Sequence, residues 1–465
     1  MLTNGWPSSF LELTGLGQRL AVPSRIGRSA GALGVAVNRV AAEAGVELHH
    51  DRTTVAHWLA GARPRPEVRG FVLEALSRQI GRALAVQDAG WTDRSEHGAA
   101  YGHLTAGLED IVVPFEQLAA SGRDRRAVLR TTLYSLAAAR MPDFANLPQP
   151  TFAAAERVER VGTAQVRSAT LMLEVFSDMD TAFGGGRVRP AIAAYLGTDI
   201  THWPHAPAGP AARNRVIVVA ADLSYLAGFT SFDDELHGTA QRYYAISARL
   251  AGAAGDPTRY AIALRAMSVQ AAALQHRHEA RTLADTAVDS APSQSTQSAF
   301  LQGQLALACA VDGDRRHALH AMAEAERLLE RAHSRTHASG IGAYHQASLA
   351  HQQAETMAQL GDLPAGIGLL GHSLRHRPAA ERRSRAITRA RLAELRLRIG
   401  HLDHACADWH AFLDDLPHLQ TARTASAERT MRRQLLPHAK TSPAGELLDR
   451  ATSLRQQAAT GVSAR

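Results

Sequence analysis

The feature that most limits what this chain can fold into is a period. The segments ELHGTAQRYY, QHRHEARTLA, GDRRHALHAM, GDLPAGIGLL and GHLDHACADW each carry a small residue near the start of an apolar helix: Ala240, Ala280, Ala318, Gly366 and Ala405. The steps between them are 40, 38, 48 and 39 residues, so one interval holds an insertion. An alanine- and leucine-rich helix precedes each turn, as in QGQLALACAVDGD and RARLAELRLRIGH, and a second helix follows it. A glycine at the turn lets the first helix stop, and the small residue lets two helices approach closely. A period of about 40 with two helices per unit predicts an α-solenoid, in which each unit buries its apolar face only by stacking on its neighbours.

Composition agrees with an all-α chain. Of 465 residues 45% are hydrophobic, enough for a sizeable core, but only 5% are aromatic and β-branched runs are few, which favours helix over strand. The formal charge is +7, and with Lys440 the only lysine nearly all the basicity is arginine. Cys309 and Cys406 stand far apart with no C-x-x-C, as expected of packed free thiols in a reduced, cytoplasmic setting. No signal peptide is apparent at the N-terminus, and the most apolar run, VIVVAA, is interrupted by Asp222 well short of the ~18 residues of a membrane span. The expectation is a protein with no membrane partner.

Ahead of the repeats, the stretch DRTTVAHWLAGARPRP (Asp51–Pro66) predicts a short helix with two unlike faces. Asp51 can cap it by accepting an N–H from residue 53 or 54. Val55, Trp58 and Leu59 form a stripe at i, i+3, i+4 to be buried, which leaves Arg52, Thr53, Ala56, His57 and Ala60 facing outward. Gly61 stops the helix, and Arg63 and Arg65 follow on a stiff Ala-Arg-Pro-Arg-Pro segment. One flanking helix carries Leu33, Val37, Val40, Ala41 and Ala44 on one face and ends at Gly45. The other carries Val68, Val72, Ala75, Leu76 and Ile80, with Pro66 near its start and Gly81 after it. A recognition helix needs this division, with an apolar back to anchor it and a polar front to reach base edges. Arginine can grip guanine O6 and N7, and a threonine methyl can touch thymine, while arginines beyond the helix suit phosphates. The candidate DNA-binding residues are therefore Arg52, Thr53, Ala56, His57, Arg63 and Arg65. Charge does not decide the matter: residues 1–95 hold eleven arginines and eight acids.

DRTTVAHWLAGARPRP resembles the third helix of Cro/repressor-type helix-turn-helix domains. Over nearly the whole chain, VNRVAAEAGVELHHDRTTVAHWLAGARPR, EALSRQIGR, DTAFGGGRVRPAIAAYL and the repeat helices resemble the actinobacterial transcriptional regulators that combine an N-terminal helix-turn-helix with tetratricopeptide-like repeats. Some of these are negative regulators of sporulation and antibiotic production. The repeat unit is similar to a degenerate tetratricopeptide repeat, a few residues longer than the usual ~34. The departure is the connection VELHH between Gly45 and Asp51, longer than a tight helix-turn-helix turn.

The remaining signals are weaker. RHRPAAERRSRAITRARLAELRLR (Arg375–Arg398) holds nine arginines against two glutamates and reads either as a partner surface or, preferably, as a solvated helix face. GIGLLG (Gly366–Gly371) follows a helical turn rather than a strand, so it predicts a close helix crossing and not a dinucleotide site. Gly184-Gly185-Gly186 reads as a break or hinge between two helices in preference to a phosphate cradle beside Arg187 and Arg189. His333 and His337 lack a third metal ligand, and no nucleophile elbow or P-loop occurs, so no enzyme, cofactor or metal is expected. DRRAVLRTTLYSLAAARMP predicts an amphipathic helix ended by Pro142, and LRQQAATGVSAR a fraying tail.

The expected organisation is all-α: a helix-turn-helix domain over 1–95, a helical connector over 96–215, repeats over 216–440 and a tail over 441–465. The expected function is a DNA-binding transcriptional regulator whose repeats bind a peptide, protein or small-molecule effector or mediate homodimerisation. The alternative is a protein-interaction scaffold of helical repeats that binds no DNA.

Overall fold

The computed structural model describes residues 23–44, 46–60, 62–80, 118, 133–136, 139, 141–147, 161–292, 297–332 and 344–463. Among these the regular elements are all helical. Gly45, Gly61, Gly81, His333 and His337 lie outside the described residues.

Three helices form the N-terminal unit: α1 (Pro23–Glu43), α2 (Arg52–Leu59) and α3 (Pro66–Ile80). Their shared core holds Leu33, Val37, Val40, Ala41, Val55, Trp58, Val68, Val72, Ala75 and Leu76, as the helical spacing predicts. On α3 the burial goes further, taking in every residue from Phe71 to Ser77, Glu74 included.

The stack of helix pairs begins with α4 (Thr163–Phe183) and α5 (Gly185–Thr198). It continues through α6 (Pro210–Asp233) with α7 (His237–Ala253), and α8 (Pro257–Ala273) with α9 (Arg277–Ser290). Next come α10 (Ser298–Asp312) with α11 (Arg315–Ala332), α12 (Gln346–Gln359) with α13 (Leu363–His376), and α14 (Arg382–Arg398) with α15 (Leu402–Asp415). The last are α16 (Ala422–Leu435) and α17 (Ser442–Ser463). From α6 to α15 each helix packs most heavily on its pair partner and next on an adjoining pair, the nearest-neighbour pattern of a solenoid.

The period in the sequence is a period in the backbone. A residue with positive φ stands five positions before each small residue: Glu235, Gln275, Gly313, Gly361 and Gly400, with φ of 57°, 65°, 89°, 87° and 84°. After it a backbone N–H reaches back to a carbonyl five positions earlier in the ending helix, as from Asp314 to Cys309 O at 2.9 Å. Three of the five turns use glycine as expected; in two a Glu and a Gln take the left-handed conformation. The small residues are buried, and a Cβ on Gly366 would stand 3.2 Å from the Ala354 carbonyl, so GIGLLG is a close helix crossing within α13.

Four expectations need correction. The connector is not separate, because α4 and α5 share a core with α6 and α7, and α6 begins at Pro210, inside the expected connector. The tail is a helix: Ala444, Leu447 and Ala451 of α17 are buried in one core with α14, α15 and α16. The segment before Pro142 is not an α-helix where it is described, for Leu133, Tyr134 and Ser135 lie in no regular element and Ala139 is in a 3-10 turn. Side chains take its backbone groups instead. Gln241 Oε1 accepts from Ser135 N at 2.8 Å, Gln241 Nε2 donates to Ser135 O at 2.6 Å, and Glu74 Oε1 accepts from Leu136 N at 2.9 Å. Finally, Asp222 does not interrupt its apolar helix, since Arg259 of α8 binds it in two places at 2.8 and 3.1 Å. The resulting helix α6 is long and apolar enough to cross a membrane, but it is mostly buried by its neighbours.

The stack closes on itself. Arg383 of α14 reaches Asp180 of α4 at 3.3 Å and Asp233 of α6 at 3.4 Å, all three buried, and its guanidinium lies 4.7 Å from the Phe229 ring. The triple glycine completes this seam. Gly186 N donates to Gln420 O and Gln420 N to Phe183 O, both at 2.8 Å. A Cβ on Gly185 or Gly186 would lie within 2.8 or 2.6 Å of backbone oxygens. The helices break at Gly184 as expected, with Gly185 and Gly186 opening α5, but the glycines serve close packing, and Arg189 beside them is held by Asp234 at 2.9 Å.

Most arginines of residues 375–398 are not a solvated face, although Arg375 and Arg398 are exposed. Arg377 pairs with Glu381 ahead of α14, and Arg389 with Asp415, Arg391 with Glu355 and Arg396 with Asp408, at 2.6 to 2.9 Å. The last three fasten α14 to α12 and α15.

Candidate nucleic-acid interface and central cavity

Helix α2 is built as the short stretch requires. The Asp51 carboxylate accepts from Thr54 N at 2.8 Å and from Thr54 Oγ1 at 2.7 Å, and these bonds hold it below the usual carboxylate range. Val55 and Trp58 are buried at its back and Leu59 is half-buried, while Arg52, Thr53, Ala56, His57 and Ala60 are exposed. Arg63 and Arg65 are exposed beyond its end, where Pro64 is buried and its carbonyl accepts from Arg69 Nε at 3.1 Å.

The long connection is rigidly tied, which the sequence did not indicate. Asn38 of α1 binds both backbone groups of His50, donating to its carbonyl at 3.0 Å and accepting from its N–H at 2.9 Å. A Cβ on Gly34 would stand 2.9 Å from the His50 carbonyl, so glycine is what lets the connection lie on α1. His50 meets Trp58 edge-on at 4.9 Å, and burial lowers its pKa. An amide and a glycine inside an otherwise apolar helix were the available signal.

The unit is fastened to the repeats. Arg78 of α3 grips Glu43 through two bonds of 3.0 and 2.8 Å and also donates to Tyr134 O at 3.2 Å. Tyr134 stacks on His276, ring centroids 5.3 Å apart and planes 4° from parallel, and His276 Nε2 lies 3.6 Å from Glu43. Burial alone would raise the Glu43 carboxyl, but His276 and Arg78 outweigh it and hold the group below its usual range.

His276 follows Gln275, and Gln275 lines the second site: a cavity of about 520 Å³ enclosed by the first helices of successive pairs, α6, α8, α10, α12, α14 and α16. Its wall mixes apolar side chains with many polar and charged ones, Glu235, Arg265, Arg391 and Arg423 among them. On α12 and α14, Arg391 is shared by Glu355 at 2.9 Å and Glu394 at 3.0 Å, and burial raises the Glu394 carboxyl. His351, pushed down to about 4 by burial, is neutral near pH 7. Thr388 spends its hydroxyl proton on Ser384 O at 2.7 Å, so it accepts from His351 Nδ1 at 3.1 Å, leaving His351 Nε2 as an acceptor. On α8, Arg265 donates from Nε to Phe300 O at 3.1 Å, and its guanidinium carbon lies 3.4 Å from the Phe300 ring centroid. Among the described residues no carboxylate pairs with it.

Residues 21–92 match the family described as the SP15 N-terminal domain. The match spans α1, α2 and α3 and leaves the repeats outside it. No curated protein matches the chain.

The six candidate residues, Arg52, Thr53, Ala56, His57, Arg63 and Arg65, are all exposed, on α2 and on the segment that follows it. The cavity residues were missed. Their signal was polar side chains at helical spacing in first helices that are otherwise small and apolar, such as His351, Glu355 and Gln359 on α12. Among the described residues no cluster of His, Cys, Asp and Glu could hold a metal ion. Cys309 and Cys406 are buried free thiols.

Proposed function

We propose that the chain is a DNA-binding transcriptional regulator: α1 and α2 with their connection act as a helix-turn-helix, and tetratricopeptide-like repeats take an effector or mediate dimerisation. The observation that carries this reading is the division of α2, with Val55 and Trp58 buried behind Arg52, Thr53, Ala56 and His57, and Arg63 and Arg65 exposed beyond. The coupling route supports it. Gln275 lines the cavity, its neighbour His276 stacks on Tyr134 and lies beside Glu43, and Glu43 closes α1. A ligand that favours one position of this turn would bias the placement of α1 and α2, and hence the spacing of two reading helices in a dimer.

One observation favours the scaffold alternative. Leu171, Val175, Met179 and Phe183 form an exposed apolar stripe at every fourth position of α4, a surface suited to a protein partner.

The two readings part on DNA. The full chain should be retained on mixed-sequence DNA at low salt, with affinity falling steeply as salt rises. Arg52→Ala, on the exposed face, should leave stability within ~0.5 kcal/mol yet weaken binding by ~1–3 kcal/mol and relax preference at one base position. Trp58→Ala should instead cost ~3–5 kcal/mol of folding through the cavity it leaves. No retention by the wild-type chain would leave the scaffold reading; retention unaltered in Arg52→Ala would remove Arg52 from the interface.

A further inference from the structure

We propose that the central cavity binds a small molecule bearing a carboxylate, held by Arg265. The proposal rests on the reading of the repeats as an effector-binding unit and names the effector's chemistry.

A guanidinium taken out of water is costly unless an opposite charge meets it. Elsewhere in this interior that rule is kept: Arg383 has Asp180 and Asp233, Arg391 has Glu355 and Glu394, and Arg259 has Asp222 and Asp256. Arg265 is the departure. Its hydrogen bond is to a backbone carbonyl, its face is stacked on Phe300, and the ionisable groups bearing on it are the phenols of Tyr225, Tyr344 and Tyr244. Burial pulls its pKa down, which marks the missing counter-charge. The Nε bond and the ring fix the guanidinium plane and leave its terminal nitrogens for a planar oxyanion, the geometry arginine uses for carboxylates.

The rest of the wall fits a ligand with an anionic head and a hydrogen-bonding far end. Gln304, buried beside Arg265's helix, has its Oε1 without a partner. Across the cavity stand His351 Nε2, an acceptor, and Glu355 and Glu394, which share Arg391, with Arg423 of α16 also in the wall. Arg265 thus offers free donors on the α8 side, while Gln304, His351 and the two glutamates supply acceptors from α10, α12 and α14, with Val269, Leu307 and Ile387 among the apolar lining. The head could belong to a free carboxylic acid or to an amino acid, and the glutamates would tell these apart by their response to an ammonium group.

The test is titration calorimetry on the full chain with octanoate, octanamide and 8-aminooctanoate. Octanoate should bind one per chain, and octanamide, which lacks only the charge, at least tenfold more weakly. Tighter binding of 8-aminooctanoate than octanoate would assign an amino-acid-like ligand, and weaker binding a free acid. R265M should lower octanoate affinity at least tenfold while its ligand-free melting temperature stays at or above the wild type, because it removes a half-buried charge that no carboxylate among the described residues pairs with. Should R265M fail to fold, R265K keeps the charge but loses the planar fork and should still weaken octanoate measurably. Equal binding of octanoate and octanamide, no binding of either, or wild-type affinity in R265M or R265K would overturn the proposal. Retention on DNA is scored separately, so a failure here leaves the regulator reading standing, and loss of DNA binding leaves this one standing.

Discussion

Gln241→Leu is the most direct test of how the N-terminal unit is held. The Gln241 amide occupies both backbone groups of Ser135, at 2.8 and 2.6 Å, and both residues are buried, Gln241 at 2% and Ser135 at 3% exposure. Leucine has nearly the same volume, so the change removes the amide's hydrogen bonds without opening a large hole. Each buried backbone group left unpaired costs about 1–3 kcal/mol, which for the two groups puts the loss at about 2–6 kcal/mol. That loss should fall first on residues 133–136, which also take Glu74 and Arg78 of α3. Native-state hydrogen exchange is the assay. The Ser135 and Leu136 amides should lose protection by several orders of magnitude, while those of α12 to α15 hold theirs. Denaturant melts should show the first unfolding step shifted by the same energy. Unchanged protection at Ser135 and a loss of stability under about 0.5 kcal/mol would refute the claim that this amide replaces the expected helix's hydrogen bonds.

Two further outcomes follow from the geometry. Gly313→Ala should destabilise by about 1–2 kcal/mol although a Cβ there meets nothing within 4 Å, because its φ of 89° is the whole cost; Gly368→Ala, equally open but inside α13, should stabilise by about 0.5–1 kcal/mol, and urea melts of the two should move in opposite directions. Burial, opposed by Arg383, raises Asp180 from 3.8 to about 6, so its contribution to stability is present below pH 4 and is lost as pH rises through 6, a span of up to about 3 kcal/mol. Asp180→Asn should remove that part of the pH dependence between 4.5 and 7.5, and an unaltered slope in unfolding free energy would show that another group carries it.

Much of this was written locally in the chain. Helix periodicity placed α1, α2 and α3 and their buried faces, because a helix's burial pattern depends only on which residues fall within reach of one turn. The Asp51 cap and the Val55–Trp58 anchor were legible for the same reason, and so was the repeat register, since each turn needs a left-handed residue and then a small one. Composition could not give what depends on distant partners. Residues 133–135 have a helical sequence but form no helix, and Gln241, more than a hundred positions away, satisfies the Ser135 backbone. The arginines of α14 read as a solvated face because their acids lie on α12 and α15 or farther along the chain. The last helix looked like a tail because its apolar residues acquire meaning only against α15. Arg265 is the sharpest case: an ordinary arginine in an alanine-rich helix, it becomes a candidate ligand-binding residue only once the stack closes around it with no carboxylate among the described residues to pair with it. Local spacing determined which faces would be buried; the closure of the solenoid decided which acids each arginine would meet.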